Sequence, residues 1–308
     1  MIAKLKSLRL RPIQIVTLGI LGMLAAAYAW VVSMGAPGGE TAQQFWPFSL
    51  VGIAGALVAN STGVGGGVVF VPVFALMREG GVLDLTPSAA VGVSFAIQCF
   101  GMTIGALTWA NRFYRRDVTS VEIEHRPIVR ELVVRTLVTG LPALLITQYI
   151  IRVDGDLAFL LFKLFSITLG ILLLVQVFIL RQPHSDRETL EDFDRRAALA
   201  IGIAGGMATA LFSVGIGELL ALSLFLRRYP VDVSVASAVI VSAITVWAGV
   251  IFHLQAEHHD WRVLVFAAPA VAVGGFLARR LAHALGAMRL KIMTAVWIIG
   301  SSGVLLII

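Results

Sequence analysis

A 26-residue apolar stretch interrupted by glycine occurs twice in this chain, 150 positions apart. Val51–Leu76 reads VGIAGALVANSTGVGGGVVFVPVFAL, and Ile201–Leu226 reads IGIAGGMATALFSVGIGELLALSLFL. Without a gap, Gly52, Ile53, Ala54 and Gly55 match Gly202, Ile203, Ala204 and Gly205, and Val64, Gly65 and Gly67 match Val214, Gly215 and Gly217. Paired apolar segments broken by glycine at corresponding places in two halves are the sequence mark of broken helices around a transporter binding site.

The chain is 58% hydrophobic and 14% charged, with a mean hydropathy of +0.90. A soluble domain carries roughly a quarter charged residues, so this is an all-α integral membrane protein with little mass outside the bilayer. The net charge of +6 does not indicate nucleic acid. Its arginines stand in short blocks between apolar runs, where they orient the chain in a membrane. The single cysteine, Cys99, sits in an apolar run and reads as a packed small residue. No zinc-type spacing, Walker loop or nucleophile elbow is present, which argues against a cofactor, ATP hydrolysis or an enzyme.

Apolar segments cover about 13–34, 50–77, 87–110, 132–151, 157–180, 197–226, 234–253, 261–282 and 288–308. The first is longer than the ~7–15 residues of a signal-peptide core, so residues 1–48 are expected to hold a retained helix and an outside connection. The second and sixth break at Gly63–Gly67 and Ser213–Gly217. Each is either one broken crossing or a re-entrant hairpin of two half-helices, ~12 residues and about 18 Å each. Charge decides between them. Hairpins place the connections 111–131 (Arg112, Arg115, Arg116, Arg126, Arg130) and 181–196 (Arg181, Arg187, Arg195, Arg196) in the cytoplasm. Lys4, Lys6, Arg9, Arg11, Arg227, Arg228, Arg279, Arg280, Arg289 and Lys291 join them, leaving only Arg78, Arg152 and Arg262 outside. That distribution follows the positive-inside rule.

Two repeats result, 49–180 and 197–308, joined by a cytoplasmic connector 181–196, with the N-terminus cytoplasmic and the C-terminus periplasmic. Each repeat has one hairpin and three crossings, an odd number, so the second enters the membrane inverted. The match continues past the hairpins. Asp84, Ala90, Val91, Val93, Ser94 and Gly101 pair with Asp232, Ala238, Val239, Val241, Ser242 and Gly249, then Pro142 with Pro269 and Lys163 with Lys291.

At these residues the chain resembles the sulfite exporter TauE/SafE family of bacterial membrane permeases. The resemblance is carried by Gly63-Val64-Gly65-Gly66-Gly67 with Pro72, by Ala90-Val91-Gly92-Val93-Ser94, and by the degenerate second copy. It spans about residues 49–308 and implies permeation of a small sulfur-containing anion, such as sulfite or an organosulfonate, across the bacterial inner membrane. Where the family often repeats the glycines and proline, this chain has Gly215-Ile216-Gly217-Glu218 and Leu222.

A half-helix starting near Gly67 directs unpaired N–H groups and its positive dipole end inward, a ready anion site. Candidate substrate residues are therefore Asn60, Ser61, Thr62, Gly63, Gly65, Gly66 and Gly67 in the first hairpin, and Ser213, Gly215 and Gly217 in the second. Ser94, Gln98 and Ser242 on the following helices join them. Glycines that merely let helices pack are the plainer alternative. Glu218 is an ionisable group at membrane depth, where burial costs at least ~2.5 kcal/mol. It reads as a protonatable coupling or gating group, as a built-in occupant of the anion place, or as a hairpin cap. His253, His258 and His259, near Glu257 and Asp260, are expected in a solvated connection. Lys163 is expected to snorkel to the interface.

The leading expectation is an alternating-access transporter of a small anion, proton-coupled through Glu218. A passive anion channel and a non-transport membrane scaffold stay open, as does a homodimer using the extra first helix for lipid or subunit contact.

Overall fold

The structure is a computed structural model that describes residues 12–35, 38–114, 120–151, 153–178, 187 and 189–307. Lys4, Lys6, Arg9, Arg11, Arg115, Arg116, Arg152, Arg181, the rest of 181–186 and residue 188 of the connector lie outside the described residues, as does the side chain of Lys291. The described part is helical: α1 (Pro12–Gly35), α2 (Gly39–Phe45), α3 (Pro47–Thr62), α4 (Gly67–Glu79), α5 (Pro87–Phe113), α6 (Ser120–Ile150), α7 (Gly155–Phe178), α8 (Asp192–Phe212), α9 (Ile216–Leu226), α10 (Val231–Gln255) and α11 (Trp261–Ile307). A non-helical Gly286 divides α11. Among the described residues, six helical runs are long and apolar enough to cross a bilayer: Ile13–Gly35, Ala42–Thr62, Pro87–Phe113, Leu157–Val175, Val231–Gln255 and Trp261–Ala282. Large apolar side chains stand exposed along α1 and α7, such as Leu18 and Leu164, as a lipid-facing surface requires. The protein is a multi-pass membrane protein.

Both long apolar segments break where glycine interrupts them. Gly63 ends α3 in the left-handed region at φ 78°, and Ser213 ends α8 there at φ 61°. The chain then folds back. A Cβ on Gly55 would lie 2.6 Å from the Phe70 ring, and one on Gly205 would lie 2.5 Å from the Ile216 Cα. Straight continuation at 1.5 Å per residue would hold these pairs far apart. The first arms, 16 residues in α3 and 21 in α8, exceed the half-helix length expected from sequence. The surplus in α8 is polar, beginning Asp192-Phe193-Asp194-Arg195-Arg196.

Packing repeats between the halves in register. Gly52 of α3 sits against Ala267 and Ala270 of α11, while its match Gly202 of α8 sits against Thr136, Thr139 and Gly140 of α6. Gly275 of α11 meets the Gly101 carbonyl of α5, and Gln148 of α6 donates to the Gly249 carbonyl of α10 at 3.2 Å. Gly101 and Gly249 are themselves matched positions, so each half lends a helix to the other.

Helix ends fall into two groups. In one, Arg112 pairs with Asp232 at 3.2 Å, Arg195 with Glu131 at 2.8 Å and Arg227 with Asp194 at 2.7 Å. These contacts join the end of α5 and the starts of α6, α8 and α10 with the end of α9. In the other, the Arg262 guanidinium lies over Phe45, Arg78 over Phe159, and Tyr149 Oη donates to Gln255 at 2.8 Å. Both ends of the α3–α4 pair lie in the second group, and both ends of the α8–α9 pair in the first.

A polar latch closes the base of α8–α9. The buried Asp194 carboxylate accepts from Tyr229 Oη at 2.6 Å, Arg227 Nε at 2.7 Å and the Glu191 N–H at 3.2 Å. Burial acts to raise the Asp194 carboxyl, but these hydrogen bonds together hold it below its ordinary value. The stability it contributes is therefore complete above the unfolded carboxyl value and is lost as pH falls through the lower folded one. Asp194→Asn is expected to remove about 2 kcal/mol at neutral pH and little in strong acid. Thermal unfolding of the two proteins at neutral and acidic pH checks this.

Candidate functional site

The two breaks meet inside the protein, and two side chains join them. Glu218, in the first turn of α9, accepts the Gly65 N–H on Oε1 at 2.6 Å and the Gly215 N–H on Oε2 at 2.8 Å. Gln98 of α5 accepts the Gly66 N–H on Oε1 at 2.9 Å. Its Nε2 donates to Ser213 Oγ at 2.7 Å, the Ser213 carbonyl at 3.3 Å and Ser94 Oγ at 3.1 Å. Thr62 Oγ1 accepts the Val64 N–H at 3.2 Å, and Thr209 Oγ1 accepts the Ile216 N–H at 3.0 Å. Amides freed by the breaks thus end on side-chain oxygens rather than on their own helices.

Glycine makes the approach possible. A Cβ on Gly65 would lie 2.6 Å from Glu218 Oε1, and one on Gly66 would lie 2.7 Å from Phe70. One on Gly67 would collide with the Ser213 carbonyl and Val214, and one on Gly217 with Ser242 Oγ. Gly63 packs on Ala238 and Ala221 of the second half. The joint is a backbone-to-backbone contact between two turns.

Its electrostatics are those of an anion cradle. Glu218 is only 2% exposed, and both of its oxygens rest on backbone N–H groups. A buried carboxylate is tolerable only with such hydrogen bonds, and helix N-termini add favourable potential. The space beside Glu218, lined by Thr62, Val64, Leu169, Leu173, Ala221, Leu222 and Phe225, measures about 10 Å³, room for a water at most. The carboxylate fills the cradle.

Of the residues singled out from sequence, Gly63, Gly65, Gly66, Gly67, Ser94, Gln98, Ser213, Gly215, Gly217, Glu218 and Ser242 come together here. Asn60 and Ser61 stand apart from the joint. Asn60 Nδ2 donates to the Ala56 carbonyl at 2.9 Å and Ser61 Oγ to the Val58 carbonyl at 3.1 Å, both within α3. Thr62 serves both places, donating to the Val58 carbonyl at 2.9 Å. Thr209 was missed, since its match in the first half is the apolar Ala59. His253 corrects an expectation: it is 4% exposed, packed on the Phe95 ring at 4.8 Å, and not in a solvated connection. Phe95 and Phe252 draw the imidazole inward. The Lys163 ammonium lies over the Phe159 ring at 4.8 Å. Among the described residues, no three of His, Cys, Asp and Glu converge to hold a metal ion.

No curated protein and no solved structure matches the chain. A family model described as sulfite exporter TauE/SafE matches residues 48–305, which takes in the joint, both breaks and every helix after α2. The chain belongs to the sulfite exporter TauE/SafE family of membrane transporters.

Proposed function

We propose that this chain is a secondary transporter moving a small sulfur-containing anion, such as sulfite or an organosulfonate, across the bacterial inner membrane by alternating access. The observation that carries the reading is the Glu218 carboxylate held by N–H groups of both breaks. A sulfur oxyanion offers the same kind of acceptor oxygens on a compact pyramidal or tetrahedral sulfur. When Glu218 takes up a proton, it ceases to be a strong acceptor for two donors at once and leaves the cradle to the substrate. When the anion departs, Glu218 loses its proton and reseats. Anion and proton then occupy the protein together.

The repeats 49–180 and 197–308 are the two moving halves, with inverted topology. The grouping of helix ends supports this, since the α3–α4 and α8–α9 pairs return to opposite groups. The arginine-rich group is assigned to the cytoplasm. The start of α1 joins it, through the contact of Thr17 with Asn111 at the end of α5.

The test is labelled sulfite uptake by the purified protein in proteoliposomes under an imposed pH gradient. Accumulation driven by the gradient is expected. Flux that only dissipates its own gradient would indicate a channel, and no flux of any sulfur anion would overturn the reading.

A further inference from the structure

A cavity of about 250 Å³ begins at Phe212, the residue before Ser213, and runs to Ile151, Val153 and His258. Its mouth lies among the helix ends grouped with Tyr149 and Arg262. The duplication supplies a counterpart for this space on the opposite face, and there it is shut. Thr147, Gln148, Ile151 and His253 line the cavity, and their matches are Gly274, Gly275, Ala278 and Gly105. A Cβ on Gly274 would lie 2.6 Å from the Ile53 carbonyl, and one on Gly275 would lie 2.5 Å from the Gly101 carbonyl. One on Gly105 would collide with Asn60 Oδ1. Trp109 Nε1 donates to the Asn60 carbonyl at 2.9 Å, and the Arg112–Asp232 pair follows one turn beyond. Ile151 at the open mouth is 42% exposed, whereas Ala278 is 0% exposed.

One side chain marks the difference. At this register α11 meets α5 backbone to backbone, but α6 reaches α10 through Gln148, whose Nε2 donates to the Gly249 carbonyl at 3.2 Å. Gly249 is the match of Gly101. His253 Nε2 lies 3.4 Å from the same amide. Gln148 Oε1 and His253 Nδ1 have no partner and are sealed from the cavity, so neither holds a ligand there. Buried polar atoms are rarely left so. The pair stands instead between two helices, where glycine lets the other half close.

Both matched helices carry a hinge beside this register. Pro142 comes five residues before Thr147, and Pro269 five before Gly274. A proline inside a helix removes a backbone hydrogen bond and loosens the turn before it. Further along α11, Gly286 leaves the helix at φ 75°. Residues 270–285 therefore form an arm between a proline and a break, and that arm carries the glycine seam. Its match in α6 runs from Pro142 to the helix end at Ile150.

We infer that these two arms are the gates of the transport cycle. The α11 arm is the inner gate, shut in this structure, and the α6 arm is the outer gate, held open by Gln148. The inner gate opens when the arm swings off Gly101 and Gly105 about Pro269. The outer one closes when Gln148 leaves the Gly249 carbonyl. That hydrogen bond exists in one state alone, so it weights the equilibrium toward the outward-open form. The inference rests on the alternating-access reading and deepens it by naming the parts that move.

The experiment measures labelling of single cysteines, in a Cys99→Ala background, by the membrane-impermeant reagent 2-(trimethylammonium)ethyl methanethiosulfonate. Spheroplasts present the outer face and inverted vesicles the inner face, with no substrate added. Ala210→Cys, at the floor of the cavity, is expected to react from outside, and Ala278→Cys to react far more slowly from inside. Adding Gln148→Gly should speed the Ala278→Cys reaction ~10-fold, the weight of one hydrogen bond made in a single state. Gly275→Ala wedges the inner seam and should speed the same reaction independently. Equal reactivity of the two cysteines without further change overturns the assignment of open and shut gates. An unchanged Ala278→Cys rate in both variants overturns the arms themselves. The expected labelling without sulfite uptake in proteoliposomes would instead sink the transport reading and leave two moving arms standing.

Discussion

Replacing Glu218 with alanine is expected to destabilise the protein by on the order of 3 kcal/mol, and added formate should restore part of that loss. The Gly65 and Gly215 N–H groups are buried donors whose shared acceptor is the Glu218 carboxylate. Removing it leaves both without an acceptor, at ~1–3 kcal/mol each, and leaves a cavity of carboxylate size. Formate carries the same two oxygens on a smaller frame. Binding to the folded state raises stability with the logarithm of ligand concentration, about 2.7 kcal/mol at a hundredfold excess over Kd. Thermal unfolding of Glu218→Ala with formate, and with chloride at matched ionic strength, reads the effect directly. Rescue by formate with an indifferent wild type is expected. A variant as stable as the wild type would show that the two amides do not depend on the carboxylate.

Gly67→Ala is the second large effect, and it acts through shape alone. The added methyl group would meet the Ser213 carbonyl and the Val214 side chain. A side chain can turn aside, but a backbone carbonyl moves only with its helix, so the two breaks must separate. Overpacking ordinarily costs ~1–3 kcal/mol, and the upper end is expected because Gln98 also loses its bonds to Ser213. Gly22→Ala in α1 is the control: nothing lies within 4 Å of its Cβ position, and a change within about 0.5 kcal/mol is expected. Loss of folded yield and of sulfite uptake in Gly67→Ala, with neither in Gly22→Ala, is the outcome to look for. Equal behaviour of the two would contradict a close joint at Ser213.

The breaks themselves were legible in sequence because glycine clusters and the duplication act locally. Gly63 needs a left-handed turn, and Gly205 needs a close neighbour, wherever the helices go. Glu218 was legible as a buried charge at a helix start, which predicts a capping role at Gly215 three residues back. Its second bond was not, because Gly65 is 153 residues away. No spacing encodes which turn a second turn will touch. Gln98 stood out as an amide in an apolar helix, yet Gln148 has the same character and passed unremarked, since it lies a turn from the end of α6, where polar residues are ordinary. His253 was misplaced because its neighbours His258 and His259 belong to a connection. The aromatic packing that buries it comes from Phe95 on another helix. Ser61 shows the converse: a hydroxyl on the right turn of the right helix satisfied by its own backbone.

The central claim is that the Glu218 carboxylate and the transported anion share one cradle, with a proton deciding between them. Sulfite uptake by the wild type and by Glu218→Gln, compared across a range of pH in proteoliposomes, tests it most directly. The glutamine keeps one acceptor for the two amides and carries no titrating group, so the pH dependence of uptake that Glu218 adds in the wild type should be lost in the variant, leaving only that of the substrate's own protonation. The same pH dependence in both proteins would contradict the claim.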